Sequence, residues 1–254
     1  MPKVSVIITS YNYGNYINKC IESCLCQCSV KKEIIVVDDH STDNTRDILN
    51  RHYKEGHIRF VISKENRGYS ACKNAGIAVS KGEYVTFIDA DDILCQSSLE
   101  CRVKILDENP DIDVVHGSVK ILRDDSGYIR AMHQAHKLRT HPSYVNAQGV
   151  MLRRRVFEKY GLFYEPLRSK ADKEYWQRIG LYKSCNKPYE SIQPDPVKSK
   201  KIKNIVAFYR KHNNSMRDMR KRTPEYEAEV NRIFDERREQ IKREGITREN
   251  TQWL

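Results

Sequence analysis

Three carboxylates fall within six residues in Phe87-Ile88-Asp89-Ala90-Asp91-Asp92. A hard cation such as Mg²⁺ or Mn²⁺ is held by one or two carboxylates together with substrate phosphates, so this cluster is a candidate cation site. Asp89 and Asp91 stand two apart and need a local turn to face one ligand; the plainer alternative is an acidic turn that caps the next helix. A second pair, Asp38-Asp39, runs into Ser41-Thr42-Asp43. A carboxylate there could accept a hydrogen bond from a nucleobase N–H or a ribose hydroxyl, or Asp39, Ser41 or Asp43 could simply cap a helix. Brought into one crevice with Asp89 and Asp91, these like charges would be costly without a cation or hydrogen-bond donors.

Three other groupings carry chemistry. In Asn66-Arg67-Gly68, Gly68 allows close backbone approach to a ligand, and Lys73 follows on a helix where its charge could meet phosphate or carboxylate. In Ala171-Asp172-Lys173-Glu174-Tyr175-Trp176-Gln177-Arg178, helical spacing puts Asp172 and Trp176 on one face and turns Glu174 away. Asp172 aimed into a cleft would serve as a general base, oriented and shielded from water by its aromatic neighbour. The alternative is an ordinary amphipathic helix with Tyr175 and Trp176 in the core. Finally, Arg210, Lys211 and His212 could close over a diphosphate, or His212 could ligate a metal; otherwise they form a basic loop.

The elements that must position these groups are legible in the first ~110 residues. Val4 to Thr9 is a continuous apolar, β-branched run, which suits a strand buried on both faces. Further strands are expected at Glu33 to Asp38, Ile58 to Ile62 and Tyr84 to Ile88, with helices at Tyr16 to Leu25, from Ser41-Thr42-Asp43 to Tyr53, at Ser70 to Val79 and at Ser97 to Asp107. Strand alternating with helix implies a doubly wound, mostly parallel sheet, whose ligands bind beyond the carboxyl ends of the strands. Thr9-Ser10-Tyr11, Asp38-Asp39 and Asp89 to Asp91 all stand at such ends. The second half alternates less cleanly: strands at Val114 to Ile121, Tyr128 to Met132 and Ile202 to Tyr209, short helices at Val156 to Tyr160 and Lys170 to Leu181. A last helix opens at Thr223-Pro224-Glu225 with an apolar stripe of Tyr226, Val230, Ile233, Phe234 and Ile241, and stops at Gly245.

At 254 residues the chain has room for one large α/β domain or two small ones, and 39% hydrophobic with 31% charged residues marks a globular composition. No apolar run approaches the ~20 residues of a membrane helix, and the opening is too short for a signal core, so a cytoplasmic protein is expected. The net charge is +11, with a marked excess of Lys and Arg from Lys198 to Leu254; that basic tail could meet anionic membrane, or be a solvated helical face. Of the eight cysteines, Cys20, Cys24, Cys26 and Cys28 cluster without a Cys-x-x-Cys pair, so reduced thiols are the default.

Taken together the segments resemble the family 2 glycosyltransferases with the GT-A fold. The resemblance rests on Val4-Ser-Val-Ile-Ile-Thr-Ser-Tyr-Asn12, Val36-Val-Asp-Asp-His-Ser-Thr-Asp43, Asn66-Arg-Gly-Tyr-Ser-Ala-Cys-Lys-Asn-Ala-Gly76, Phe87-Ile-Asp-Ala-Asp-Asp92, and Gly149-Val-Met-Leu-Arg-Arg154 through Phe157-Glu-Lys-Tyr-Gly161 to Asp172 and Trp176. The family usually has Gly or Asn at His40, more often Arg at Lys73, and Glu at Ala171. The resemblance implies a GT-A domain over 1–216, with a nucleotide-sugar half (1–110) and an acceptor half (111–216), and a basic helical extension over 217–254. It implies that Thr9, Tyr11 and Asp39 hold the base, with uracil expected. Gly68 and Lys73 would support base or diphosphate. Asp89 would meet the ribose or the metal, and Asp91 would ligate Mn²⁺ or Mg²⁺, with His212 a further ligand candidate. Arg210 and Lys211 would meet the diphosphate, and Asp172 would be the base. The implied partners are a UDP-sugar donor and a saccharide, lipid-linked or protein acceptor.

Two rivals remain. A nucleotidyltransferase would need a Gly-rich, Arg-containing loop after the first strand, and Ser10-Tyr11-Asn12-Tyr13-Gly14 has one Gly and no Arg. A basic nucleic-acid-binding module would leave Asp39, Asp89, Asp91 and Asp172 unexplained, which disfavours nucleic acid as a partner.

Overall fold

The computed structural model describes residues 1–122, 147–181, 195–210, 212 and 224–244. The four apolar runs of the first half form β1 (Val4–Ser10), β2 (Lys32–Asp38), β3 (Arg59–Ile62) and β4 (Tyr84–Asp89), joined through α1 (Gly14–Leu25), α2 (Thr45–Lys54) and α3 (Tyr69–Val79). There follow a two-residue strand β5 (Ile93–Leu94), α4 (Ser98–Glu108), β6 (Val114–Leu122), a 3₁₀ turn at Ala147–Gly149, β7 (Val150–Arg153), α5 (Arg155–Tyr160), α6 (Ala171–Arg178), β8 (Ser199–Arg210) and α7 (Pro224–Glu244).

All eight strands join one sheet in the order β3-β2-β1-β4-β7-β6-β8-β5. The β3-β2-β1-β4 portion is parallel, as the alternating first half requires. Beyond it β7 runs antiparallel to both β4 and β6, while β6 and β8 are parallel and β5 caps β8 antiparallel. Every residue of β1 is buried, because helices cover both faces. Alternate side chains divide between two cores. Val4, Val6 and Ile8 pack with Ile17, Ile21, Leu49 and Leu99 on one face. Ile7, Val37 and Phe87 pack with Cys72, Ile77, Phe163, Tyr175 and Trp176 on the other. Helix α3 lies close against β1 because Gly76 has no side chain: a Cβ there would stand 2.4 Å from Ile7 Cγ2.

Register decides where the polar strand ends go. Thr9 pairs with Asp89 across β1 and β4, and Ser10 with Asp38 across β1 and β2. The chain order reverses between β1 and β4, and a crevice opens at such a switch point. Sequence-expected ends shifted by a few residues. Helix α2 begins at Thr45 rather than at Ser41, because Asp43 is used as a tie: its carboxylate accepts the Thr45 backbone N–H at 3.0 Å and the Gly14 N–H at 2.8 Å, holding the starts of α1 and α2 together. Helix α6 stops at Arg178, before Gly180 turns left-handed. Tyr128 to Met132, Thr223 and Gly245 lie outside the described residues.

The apolar stripe of α7 packs on the rest of the chain. Val230 and Phe234 meet Leu167 and Ala171, and the Lys173 ammonium sits 5.2 Å from the Phe234 ring centre. On its outer face Arg232 pairs with Glu229 and Glu236, and pairs so exposed contribute little. Among the described residues no helix is long and apolar enough to cross a membrane.

His40 has φ +67°, a left-handed conformation that suits Gly or Asn, which accounts for those residues being usual at this position in the resembled family. His40→Gly is therefore expected to raise stability by about 0.5–1 kcal/mol, the left-handed cost less the extra unfolded-state entropy of Gly. Chemical denaturation of the two proteins checks this; a lower midpoint in the variant would contradict it.

Candidate active site

At the carboxyl ends of β1, β2 and β4, one cavity is lined by Thr9, Tyr11, Asp39, Asp89 and Asp91, with Tyr13, Tyr69, Cys72 and Tyr209 completing the wall. Five sequence-expected residues thus converge from segments up to eighty positions apart. Asp39 stands just past β2, its backbone N–H bonded to the Ser10 carbonyl at 2.8 Å. Its two carboxylate oxygens accept the backbone N–H groups of Arg67 and Gly68, both at 2.8 Å. Gly68 can present its N–H this way because φ is +92°, and it is the residue before α3, so Asp39 also satisfies the start of that helix. A carboxylate has about four acceptor positions, so Asp39 keeps capacity for a ligand N–H. Asp38, by contrast, is turned inward: it accepts the Ser41 backbone N–H at 3.1 Å and the Ser41 hydroxyl, and is fully buried.

The acidic cluster is wired on every side. Asp89, Asp91 and Asp92 bring carboxylate oxygens within 4.8 Å of one another. Asp89 accepts Thr9 Oγ1 at 3.0 Å and Gln148 Nε2 at 2.7 Å. Gln148 also donates to Asp92 at 2.7 Å, and the Arg210 backbone N–H donates to Asp92 at 2.9 Å. Arg210 itself is buried, its Nε on the Asp91 carbonyl at 2.9 Å and its guanidinium over the Tyr16 ring, so in this arrangement it braces the acidic turn. His212 Nε2 lies 3.0 Å from Asp91 Oδ2, its ring packed against Tyr13 and Tyr16. Lys211 lies outside the described residues.

Burial, and next the Asp91 carboxylate, pushes Asp89 up to about 7, and the same two causes drive Asp92 well above the usual range. A divalent cation among these oxygens would relieve that repulsion, so the donor set fits a hard metal, with Asp91 and Asp89 as ligands and His212 adjacent.

The fourth grouping departs from the sequence picture. Lys73 is on no surface: it is fully buried, with Nζ 2.5 Å from Asp172 Oδ1 and within 5.0 Å of the ring centres of Tyr69, Phe87 and Phe163. Burial lowers its pKa, and the Asp172 carboxylate opposes that loss. Asp172 keeps about a third of its side chain exposed and takes a second, longer contact of 3.4 Å from the Tyr69 hydroxyl. The aromatic group on Asp172 is therefore Tyr69. Trp176 packs in the core against Phe163 and Tyr175, which is the alternative its amphipathic pattern allowed. Glu174 faces away as expected and forms a buried two-point pair with Arg178, whose remaining N–H groups hold the Tyr160 and Leu162 carbonyls and so fix α6 to the chain after α5.

Sequence reasoning missed Gln148, Tyr69 and Tyr209. Gln148 arrives from the 3₁₀ turn before β7, and no local pattern marks it. Tyr69 sits four residues before Lys73 on α3, so helical spacing could have found it.

The fold is shared with sugar-nucleotide proteins. S. aureus TarS 1–349 in complex with UDP-GlcNAc superposes with a TM-score of 0.66 at 22% identity, over 96% of this chain and 71% of that one. The mannosyltransferase PcManGT of Pyrobaculum calidifontis, in complex with GDP-Man and Mn²⁺, gives 0.54 at 21% over 76% and 58%. These likenesses define a GT-A fold. Residues 5–162 match Glycosyl transferase family 2, and the chain belongs to that family. Among curated relatives, the glycosyltransferase GlyG of Streptococcus pneumoniae is 40% identical over 116 residues, 45% of this chain and 38% of that protein. The chondroitin synthase of Pasteurella multocida is 36% identical over 104 residues, 41% and 11%. The chain thus spans well under half the length of these relatives.

If cation and proton compete for Asp89, Mn²⁺ binding should release protons near pH 6.5, and the release should fade above about pH 8.5, where Asp89 is already ionised. Affinity should fall as pH drops through about 7 for the same reason. Calorimetry in two buffers of different ionisation enthalpy measures this; a release that grows with pH would contradict the assignment.

Proposed function

We propose that this chain transfers a sugar from a nucleoside diphosphate donor, with UDP-sugars foremost, to an acceptor hydroxyl, with inversion at the anomeric carbon. The observation that carries the reading is the convergence on one crevice of Asp39, Asp89 and Asp91 with a partly exposed carboxylate, Asp172, held by Lys73 and Tyr69 at its border. TarS in complex with UDP-GlcNAc and PcManGT in complex with GDP-Man and Mn²⁺ supply the donor class.

In this reading Asp39 accepts a ring N–H of the base, with Thr9 and Tyr11 beside it. Asp91 and Asp89 hold Mn²⁺ or Mg²⁺, which would stabilise the negative charge growing on the departing nucleoside diphosphate. Gln148 and the Arg210 backbone keep Asp92 and the acidic turn in place. Asp172 takes the proton from the acceptor hydroxyl as that oxygen attacks, since an un-ionised hydroxyl is a poor nucleophile. One base and one displacement on the face opposite the leaving group invert the sugar. Lys73 is a positioning residue: its ammonium fixes Asp172 Oδ1, and Oδ2, which takes only the long Tyr69 hydroxyl contact, keeps a lone pair for the acceptor.

UDP is expected to bind in the presence of Mn²⁺ and to lose that metal dependence in Asp91→Ala, measured by calorimetry. Absence of UDP and GDP binding with metal present would sink the donor assignment. Asp172→Asn should lower kcat by about 10²–10⁴ with UDP affinity little changed. An NMR spectrum of a product with the donor's anomeric configuration would rule out inversion.

Lys73→Met separates positioning from donor binding. It removes the buried ammonium and leaves Asp172 without its counter-charge, but that carboxylate is about a third exposed and can be hydrated, so the protein should fold at reduced stability, with kcat reduced at least about tenfold, UDP affinity within about threefold, and activity partly restored by Lys73→Arg. A loss confined to UDP affinity would instead return Lys73 to the donor.

A further inference from the structure

The second place where ligating side chains converge is far from the cavity. His52 lies near the end of α2, Glu55 immediately after it, and His57 in the turn towards β3. Because α2 leaves the site end of the sheet, its last turn stands at the amino-terminal rim of the parallel strands. The three groups bring ligand atoms within 4.8 Å of one another. His52 Nδ1 is 3.3 Å from His57 Nδ1, and Glu55 Oε2 is 3.1 Å from His57 Nδ1 and 3.8 Å from His52 Nδ1.

Hydrogen bonding assigns the protons. Asn18 Oδ1 accepts Arg51 Nη2 at 2.7 Å, while Asn18 Nδ2 donates to Glu22 at 2.6 Å. The Asn18 oxygen is thus the acceptor end, and His52 Nε2, 2.9 Å from it, must donate. His52 Nδ1 is then a bare lone pair directed at His57 Nδ1. Burial and the neighbouring Arg51 lower the His52 pKa. A proton on His57 Nδ1 would lie between that lone pair and the Glu55 carboxylate.

A cation can take that proton's place. With metal–ligand bonds of about 2.0–2.1 Å at tetrahedral angles, neighbouring donor atoms stand about 3.3 Å apart. The observed separations, 3.1, 3.3 and 3.8 Å, bracket that value. Two imidazoles and one carboxylate suit a borderline ion of the Zn²⁺ class better than Mg²⁺ or Ca²⁺. The Asn18 bond to His52 Nε2 is the outer contact that orients a ligating imidazole, and the carboxyl end of α2 adds a field that favours a cation. Glu55 and His57 are exposed, leaving the fourth position to water.

We propose that His52, Glu55 and His57 form a Zn²⁺-class metal site that joins the end of α2 to the turn before β3, separate from the acidic cluster of the cavity. The full chain, stripped with a chelator, is titrated with Co²⁺ and then Zn²⁺, in the wild type and in Asp91→Ala, so that the acidic cluster does not contribute. One tetrahedral Co²⁺ is expected per chain by its visible absorption, displaced by Zn²⁺. His57→Ala and Glu55→Gln each weaken binding at least about tenfold. Both residues are exposed, so their variants should fold, as far-UV circular dichroism will show. Zn²⁺ binding of equal strength in His57→Ala assigns the ion to other ligands, the thiols included, and overturns the site; so does the absence of one-to-one binding in Asp91→Ala.

Discussion

The contact on which this architecture turns is the ion pair between Lys73 and Asp172. An ammonium with no exposed surface, enclosed by Tyr69, Phe87 and Phe163, is tolerated only with a counter-charge, since an unpaired buried ion costs several kcal/mol. The counter-charge is ninety-nine residues away. Burial of Lys73 therefore goes with docking of the helix that carries Asp172. The same seam is laced by Asn74 to the Phe163 backbone in both directions, by Ser70 to the Leu167 carbonyl and by Arg67 to Glu165. Helix α3 thus joins the parallel strands to α6: its start holds Asp39, its middle holds Asp172, and Gly76 lets its far end press on β1.

The acidic crevice shows the opposite economy. Around Lys73 the fold supplies a counter-charge, but at Asp89, Asp91 and Asp92 it crowds like charges, and the hydrogen bonds described there come from neutral side chains, a backbone N–H and His212. Such donors fix geometry without cancelling charge, and burial first, then the like-charged neighbours, raise Asp89 and Asp92, with Lys73 opposing the rise at Asp89. A site left in that condition is arranged for something positive that arrives with its ligand. The braces are short and local to the crevice: Gln148 spans two carboxylates, and Arg210 clips the turn through both its backbone and its side chain.

Some outcomes follow from conformational preference alone. His40 and Asn12 both take left-handed backbone in the loops after β2 and β1, and the loops are bonded to each other through Asn12 and Ser41 or Thr42. These loops beside the cavity are therefore held by polar side chains in turns rather than by a hydrophobic core, which suits a surface open to solvent.

The sequence by itself determined the parallel half of the sheet and most of the candidate site. Both-face burial writes β1, β2 and β4 as continuous apolar runs, and the polar residues at their carboxyl ends, Thr9, Asp38-Asp39 and Asp89, fall at the one rim where a parallel sheet gathers them. Asp172 was legible as a candidate from the motif around it. Only the tertiary structure decided what those groups touch. It turned Asp38 inward and Asp39 outward. It gave Lys73 a carboxylate partner inside an aromatic box, exchanged Trp176 for Tyr69 as the neighbour of Asp172, and brought Gln148 to the carboxylates. The reason is physical. Strand and helix periodicity are local and repeat within a few residues, whereas a hydrogen bond or ion pair across eighty to a hundred residues leaves no periodic mark in either of the segments that make it.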